Sequence, residues 1–359
     1  MMKILNSLLL MAILVVSVVP MTAAVSVGGG VVVDITTEDF APQVWMCDNR
    51  VVYDDATEPG RISEDGQTLV ERINNYAFEG EQIGWRVLVF DKNGIEKIED
   101  VFATIGPVQG AGNDIEVNCK IDHIVQVEEQ LDETCNARIL EEELDSVSEN
   151  VAAYYDCLLT VETPLSMYGE YFITVEATDL DGLSGTMAEN EYWFLNPVIA
   201  LSIEGDVVFE DVRPGTSSYS ETILVGNDAD QGSGVMMDMF ISGTDFYDSS
   251  SSGAKCPISN QLELSNFNYF ATSGAYSTLQ DPRNDAEGYV PIEYGIGFND
   301  PNPFYNNNEI LQVLPVGPYY VANVLAPGAE MAVTFRLNLP EPCNGDFDTG
   351  SIYFWGEAI

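Results

Sequence analysis

Gln82-Ile-Gly-Trp-Arg-Val-Leu-Val-Phe-Asp91 alternates bulky apolar residues with small or polar ones, and Asp91-Lys-Asn-Gly94 follows directly. Successive side chains leave a pleated strand on opposite faces, so this alternation reads as a strand. Asn-Gly tolerates positive φ and supplies a turn. Residues 95–105 then read as the next strand. The same grammar recurs around residues 171–177, where Asp179-Leu-Asp-Gly182 turns the chain toward a strand at 189–195. Residues 115–121 and 153–161 are further strand candidates. Residues 54–67 are rich in acid, Gly and Pro and read as loop. Residues 127–151 carry Glu and Leu at mixed spacing, which suits a short acidic helix or a polar hairpin equally.

Asn196-Pro197 punctuates the chain, and a second strand series follows at 198–203, 207–209, 219–226, 235–242, 331–339 and 351–359. Arg213-Pro-Gly and Ala326-Pro-Gly are turns. No long amphipathic helix is visible. Short strands at regular spacing with turns between them predict an all-β chain of two tandem β-sandwiches, immunoglobulin-like or jelly-roll-like. The expected division is 1–24, 25–40, 41–197 and 198–359, the last with a long insertion at 244–325.

Residues 1–24 read as a cleaved signal peptide. Lys3 gives a positive start, residues 8–19 form an apolar run apart from Ser17, Pro20 breaks it, and Thr22-Ala-Ala24 offers small residues for cleavage. Residues 25–40 open with Val25-Ser-Val-Gly-Gly-Gly-Val-Val-Val33, a glycine-jointed strand or tether. No later stretch is apolar enough to predict a membrane span. The expected location is extracellular or at the cell surface.

The formal charge is −45, from 13 Lys+Arg against 58 Asp+Glu. Such a surface repels phosphates and anionic lipid headgroups, which excludes nucleic acid as a partner. With 46% hydrophobic residues the chain still has material for cores, so the acidity does not signal disorder. The melting temperature is expected to rise from low to high monovalent salt, because screening relieves the repulsion. A flat response would show charges dispersed too well for this argument.

The six cysteines of an exported chain predict disulfides. Cys256 and Cys343 are the pair left in the second half if the halves do not cross-link. Cys47, Cys119, Cys135 and Cys157 allow three pairings, which stay open.

Residues 78–105 and 169–196 resemble immunoglobulin-like modules of prokaryotic surface proteins, through Val87-Leu-Val-Phe-Asp-Lys-Asn-Gly-Ile95 and Gly169-Glu-Tyr-Phe-Ile-Thr-Val-Glu-Ala-Thr-Asp179. The cadherin-type calcium motifs are absent, so calcium does not carry over. Residues 201–243 and 326–359 resemble the camelysin and biofilm-fibre subunit type of sandwich, through Arg213-Pro-Gly215, a strand ending in Asn227, and Pro327-Gly328 before Val333-Thr-Phe-Arg-Leu337. The whole resembles exported archaeal proteins. These resemblances imply a surface location and no particular activity.

Candidate chemistry is sparse. Asp179-x-Asp181-Gly182 begins like a calcium loop, but an EF-hand needs an oxygen ligand at its fifth position and an acid at its twelfth, which are Leu183 and Asn190. A sandwich-loop calcium site at Asp179 and Asp181, or at Asp228 and Asp230, remains the one cofactor expectation; a plain turn is the other reading. Tyr289, Tyr294, Phe298, Phe304 and Tyr305 read as an aromatic platform for sugars or partners, or as a loop folded onto its own domain. His123, beside Asp122, is the only imidazole, and no Gly-x-Ser-x-Gly elbow occurs. The expected function is non-catalytic: a structural or interaction protein of the cell surface, in a surface layer or filament, whose partners are other surface proteins or itself. A glycan- or protein-binding module is second and a secreted hydrolase third.

Overall fold

The first nine strands are β1 (Gln43–Tyr53), β2 (Tyr76–Ala77), β3 (Gln82–Phe90), β4 (Ile98–Gly106), β5 (Ile115–Ile124), β6 (Ala152–Thr160), β7 (Gly169–Asp179), β8 (Ser184–Thr186) and β9 (Glu191–Leu195). They form one sheet in the order β1-β3-β6-β5-β4-β7-β9-β2, with β8 on β7. Residues 115–118 of β5 pair with β4 and residues 119–124 pair with β6, so β5 is the line along which the sheet folds into a sandwich. Met46, Ile83 and Trp85 meet Val101, Val175 and Ala177 in its core. This computed structural model describes residues 34–53, 74–110, 112–127, 129–136, 150–187, 191–250, 253–295, 308–316 and 319–359. The signal peptide expected at 1–24, residues 25–33 of the tether and the loop 54–67 lie outside the described residues.

The Asp91–Gly94 turn carries the chain from one layer to the other; β3 and β4 are not neighbours. Asn93 N–H donates to Asp91 Oδ1 at 2.7 Å, and Gly94 sits at φ 116°, which favours glycine. A 3-10 turn at Ile95–Lys97 replaces the start of the expected strand. The apolar run in β3 also has a tertiary cause. Leu88 and Phe90 face away from the main core and pack against Val125, Leu131 and Cys135 in a smaller cluster. That cover includes a helical turn at Glu133–Asn136, within the described residues of the ambiguous region.

The other strands are β10 (Leu201–Glu204), β11 (Ser217–Asn227), β12 (Met237–Gly243), β13 (Phe246–Tyr247), β14 (Gln261–Leu262), β15 (Phe267–Ser273), β16 (Tyr276–Ser277), β17 (Val290–Pro291), β18 (Pro315–Val316), β19 (Tyr319–Tyr320), β20 (Val324–Leu325), β21 (Glu330–Asn338) and β22 (Ile352–Ala358). A six-stranded sheet, β10-β11-β21-β15-β16 with β17 on β15, faces a three-stranded sheet, β20-β12-β22. Ile223, Val225, Tyr269, Val333 and Phe335 meet Met237, Met239 and Ile241 between them. The stretch 244–325, expected as an ornament, supplies β15, which lies beside β21 over six register positions. Residues 207–209, expected as a strand, form none. Phe209 and Val212 turn into the core there, with the Phe209 and Phe267 rings 6.0 Å apart, and Asp211 sits at φ 49°.

Residues 40–359 form one compact unit. Tyr76 belongs to β2 of the first sheet, yet its side chain is fully buried in the core of the second, where its hydroxyl donates to the Ile359 carbonyl. Asp230 Oδ2 accepts from Tyr168 Oη and from the Val198 N–H, both at 2.9 Å. Asp230→Ala is expected to lower the denaturant midpoint by removing these charge-assisted bonds, checked by denaturant unfolding. An unchanged midpoint would show that the apolar joint around Tyr76 suffices.

Candidate functional site

The disulfides are Cys47–Cys135, Cys119–Cys157 and Cys256–Cys343, with Cα separations of 4.1, 4.2 and 4.2 Å. Cys47–Cys135 fastens the outer cover of β3 to β1. Cys119 and Cys157 face each other in register on β5 and β6. Cys256–Cys343 ties two loops at one end of the second sandwich.

The acidic loops are spoken for. Asp179 is buried, and its Oδ1 accepts the N–H groups of Asp181 at 3.0 Å and Leu183 at 2.8 Å, closing the turn between β7 and β8. Asp181 pairs with Lys97 at 2.6 Å. Asp230 holds the joint just described, and Asp228 beside it is exposed. Among the described residues no group of three or more His, Cys, Asp and Glu is arranged to hold a metal. With Asp181 paired to Lys97 and Asp179 closing its own turn, calcium is expected to raise the melting temperature no more than sodium chloride of equal ionic strength does. A calcium-specific rise that Asp181→Asn abolishes would overturn this.

Of the aromatic loop, Phe298, Phe304 and Tyr305 lie outside the described residues. Tyr294 is exposed, with its hydroxyl donating to Asp245 Oδ1 at 2.6 Å. Tyr289 folds onto the outer face of the six-stranded sheet. Its ring lies 4.4 Å from the Arg336 guanidinium and 5.8 and 5.7 Å from the rings of Tyr219 and Phe270. Arg336 is itself gripped by Asp285 and Glu287. The two described aromatics of the five thus have different neighbours: Tyr289 packs on Arg336, Tyr219 and Phe270, and Tyr294 bonds Asp245.

His123 has Asp122 Oδ2 at 2.8 Å from Nδ1 and Glu129 Oε1 at 2.9 Å from Nε2. The hydrogen bonds to Glu129 and then Asp122 raise its pKa. Both ring nitrogens face carboxylates, so neither is aimed at a hydroxyl nucleophile.

Two features have no counterpart in the sequence reading. The first is a carboxylate cluster around β12. Asp238 is 5% exposed and accepts from Asn323 Nδ2 at 2.7 Å. It lies opposite Glu357 in register. Burial pushes its carboxyl up to about 8, with Glu309 and Glu357 adding to the rise against the hydrogen bond from Asn323. Burial also raises Glu309.

The second is a cleft of about 900 Å³ in the second sandwich. Its floor is the inner face of the six-stranded sheet, with Ile223, Phe267, Phe335 and Leu337; Ile352 and Phe354 of β22 form one side. One wall is residues 343–350, held by the Cys256–Cys343 disulfide, by paired Lys255–Asn344 backbone bonds of 2.9 Å, and by Asp248 Oδ2 accepting from the Asp346 N–H at 3.0 Å. The other wall is the strandless stretch 205–214. Aliphatics at 198, 199, 203, 207 and 208 interleaved with acids were the available sequence signal. The missed step was that residues 207–209 are not a strand covering this face.

Among the described residues no helix is long and apolar enough to cross a membrane. No family model and no curated protein matches the chain. Among solved structures it is similar to the C-terminal domain of the Streptococcus agalactiae AgI/II polypeptide BspA, at 10% identity over 89% of this chain and 97% of that one, with a TM-score of 0.30. It is also similar to a chaperone–tip adhesin complex of CFA/I fimbriae, at 10% identity over 80% and 78%, TM-score 0.23. A third is the sialic acid binding region of a Streptococcus sanguinis SK1 adhesin bound to 3′sLn, at 11% identity over 85% and 70%, TM-score 0.20. Likenesses this distant carry no argument about what this chain binds or does.

Proposed function

We propose that this chain is a non-catalytic interaction protein of the cell surface and that the cleft of its second sandwich is where it engages another protein. The observation that carries this reading is the apolar floor left open between two walls, one of them stapled by a disulfide. All six cysteines are bonded, which fits an oxidising compartment outside the cytosol. A fixed joint at Tyr76 presents both sandwiches as one body, as a surface layer or filament requires. Glycan binding is the second reading. It draws on Tyr219 and Phe270 beside Tyr289, whose planes are tilted by 50° and 51° and so do not form one flat platform. A secreted hydrolase is third, since His123 faces two carboxylates.

Labelling intact cells with a membrane-impermeant amine reagent, followed by fractionation, tests the reading. Labelled protein is expected in the envelope or medium, with no free thiol. Recovery from the cytosol with free cysteines would end it.

A further inference from the structure

We propose that the cleft takes an extended strand from a partner protein, one in which apolar residues alternate and lysine or arginine flanks them. The proposal rests on the interaction reading above and names its partner.

Three observations converge at the mouth of the cleft. Among the described residues β10 pairs only with β11, so it presents a row of main-chain N–H and C=O groups on its other edge. An open edge beside an apolar slot is the geometry of strand addition, in which backbone bonds give affinity and pockets read alternate side chains. Next, Ile203 lies opposite Val225 in register, so both side chains point to the inner face of the sheet. Val225 is fully buried, yet Ile203 is 51% exposed, because the facing sheet stops short of it. Val207 and Val208, 38% and 56% exposed, extend this apolar lip. A small apolar ligand would fill the slot and leave the backbone edge unused; a strand uses both.

Charge then decides whose strand it is. Glu210 and Asp211 line the lip and Asp346 the opposite wall, all exposed, with Glu204 and Asp206 exposed in the adjoining stretch. Arg213 is the only cation between residues 204 and 214. A second copy of this chain would bring its own charge of −45, and its glycine-jointed segment 25–35 is followed by Glu38 and Asp39. Like charges at such a rim oppose docking, whereas flanking cations speed encounter and fix register.

The test uses the full mature chain and synthetic peptides, followed by fluorescence anisotropy. A lysine-flanked peptide of alternating valine and threonine is expected to bind at least ~10-fold more tightly than its glutamate-flanked counterpart, with the gap narrowing in salt. Ile203→Asn and Val208→Asn are each expected to weaken it several-fold. Both sites are half-exposed, so thermal melts of the two variants should match the parent. Glu210→Gln with Asp211→Asn should weaken the lysine-flanked peptide alone; asparagine tolerates the backbone at Asp211. Equal binding by a lysine-flanked peptide of serine and threonine would reduce the effect to bulk charge and overturn the proposal. Tighter binding by the 25–35 peptide would make a second copy the occupant and overturn it too. No peptide binding, with the protein still recovered disulfide-bonded at the envelope, overturns the cleft proposal and leaves the surface reading standing. A cytosolic protein with its cysteines reduced overturns both.

Discussion

Asp238→Asn is expected to raise the melting temperature by on the order of 10 °C at pH 8 and to change it little at pH 4. The carboxyl is buried on β12, with Glu357 opposite and Glu309 nearby, and its pKa stands at about 8 in the folded chain against 3.8 without such surroundings. The folded state therefore keeps a proton that the unfolded state gives up. Stability is lost as pH rises above the unfolded value, and the loss levels off past the folded value. At about 1.4 kcal/mol per pH unit, the cost of keeping this acid reaches about 5 kcal/mol above pH 8. Asparagine is neutral throughout and keeps the Oδ1 that accepts from Asn323 Nδ2. Asp238→Ala is the contrast: it leaves that buried amide without this acceptor and should destabilise by about 1–3 kcal/mol at pH 4, where the charge no longer matters. Thermal melts of the three proteins between pH 4 and 8 decide the matter. A loss of stability in Asp238→Asn at pH 8 would mean that the carboxylate is charged and compensated there.

Replacing Cys256 and Cys343 by alanine is expected to cost about 4–5 kcal/mol, since the bridge spans 87 residues and closing a loop of that length removes that much unfolded-state entropy. Cys47–Cys135 spans 88 residues and belongs in the same range, whereas Cys119–Cys157 spans 38 and should cost about 4. The second-sandwich bridge also has a local role the others lack, because Cys343 is part of the cleft wall. The double alanine variant should therefore lose peptide binding at temperatures where circular dichroism still reports native strand content. The first-sandwich bridges should leave binding intact. Equal binding by all three bridge variants would show that the wall holds without its staple.

Some of this was legible residue by residue. The alternation in 82–90 and 169–179, the Asx turn at Asp91 and the turn at Asp179 are local, and β3 and β7 lie where those patterns put them. Other features misled for a physical reason. Val207-Val-Phe209 is strand-like in composition, but Phe209 reaches Phe267 only by leaving the sheet. Val87-Leu-Val-Phe90, the end of a strand read correctly, is apolar on both faces because Val125, Leu131 and Cys135 cover its outer one. The acids at 179, 181 and 230 read in sequence as loop residues of turn-like pattern; tertiary structure adds the partners of Asp179, Asp181 and Asp230, which are the β7–β8 turn, Lys97 and Tyr168.

The sequence by itself determined the class of fold, because period-two burial and turn chemistry act between residues a few positions apart. It determined the sign and size of the surface charge, and through it the kind of partner that can approach. Tertiary structure alone decided that β5 is shared between two layers, that Tyr76 locks one sandwich into the other, that burial raises the pKa of the Asp238 carboxyl, and that an apolar floor stays open beside β10. Each of these depends on which distant strand arrives, or fails to arrive, next to a given side chain, and burial sets the energy of both a methyl group and a carboxylate only once that neighbour is in place.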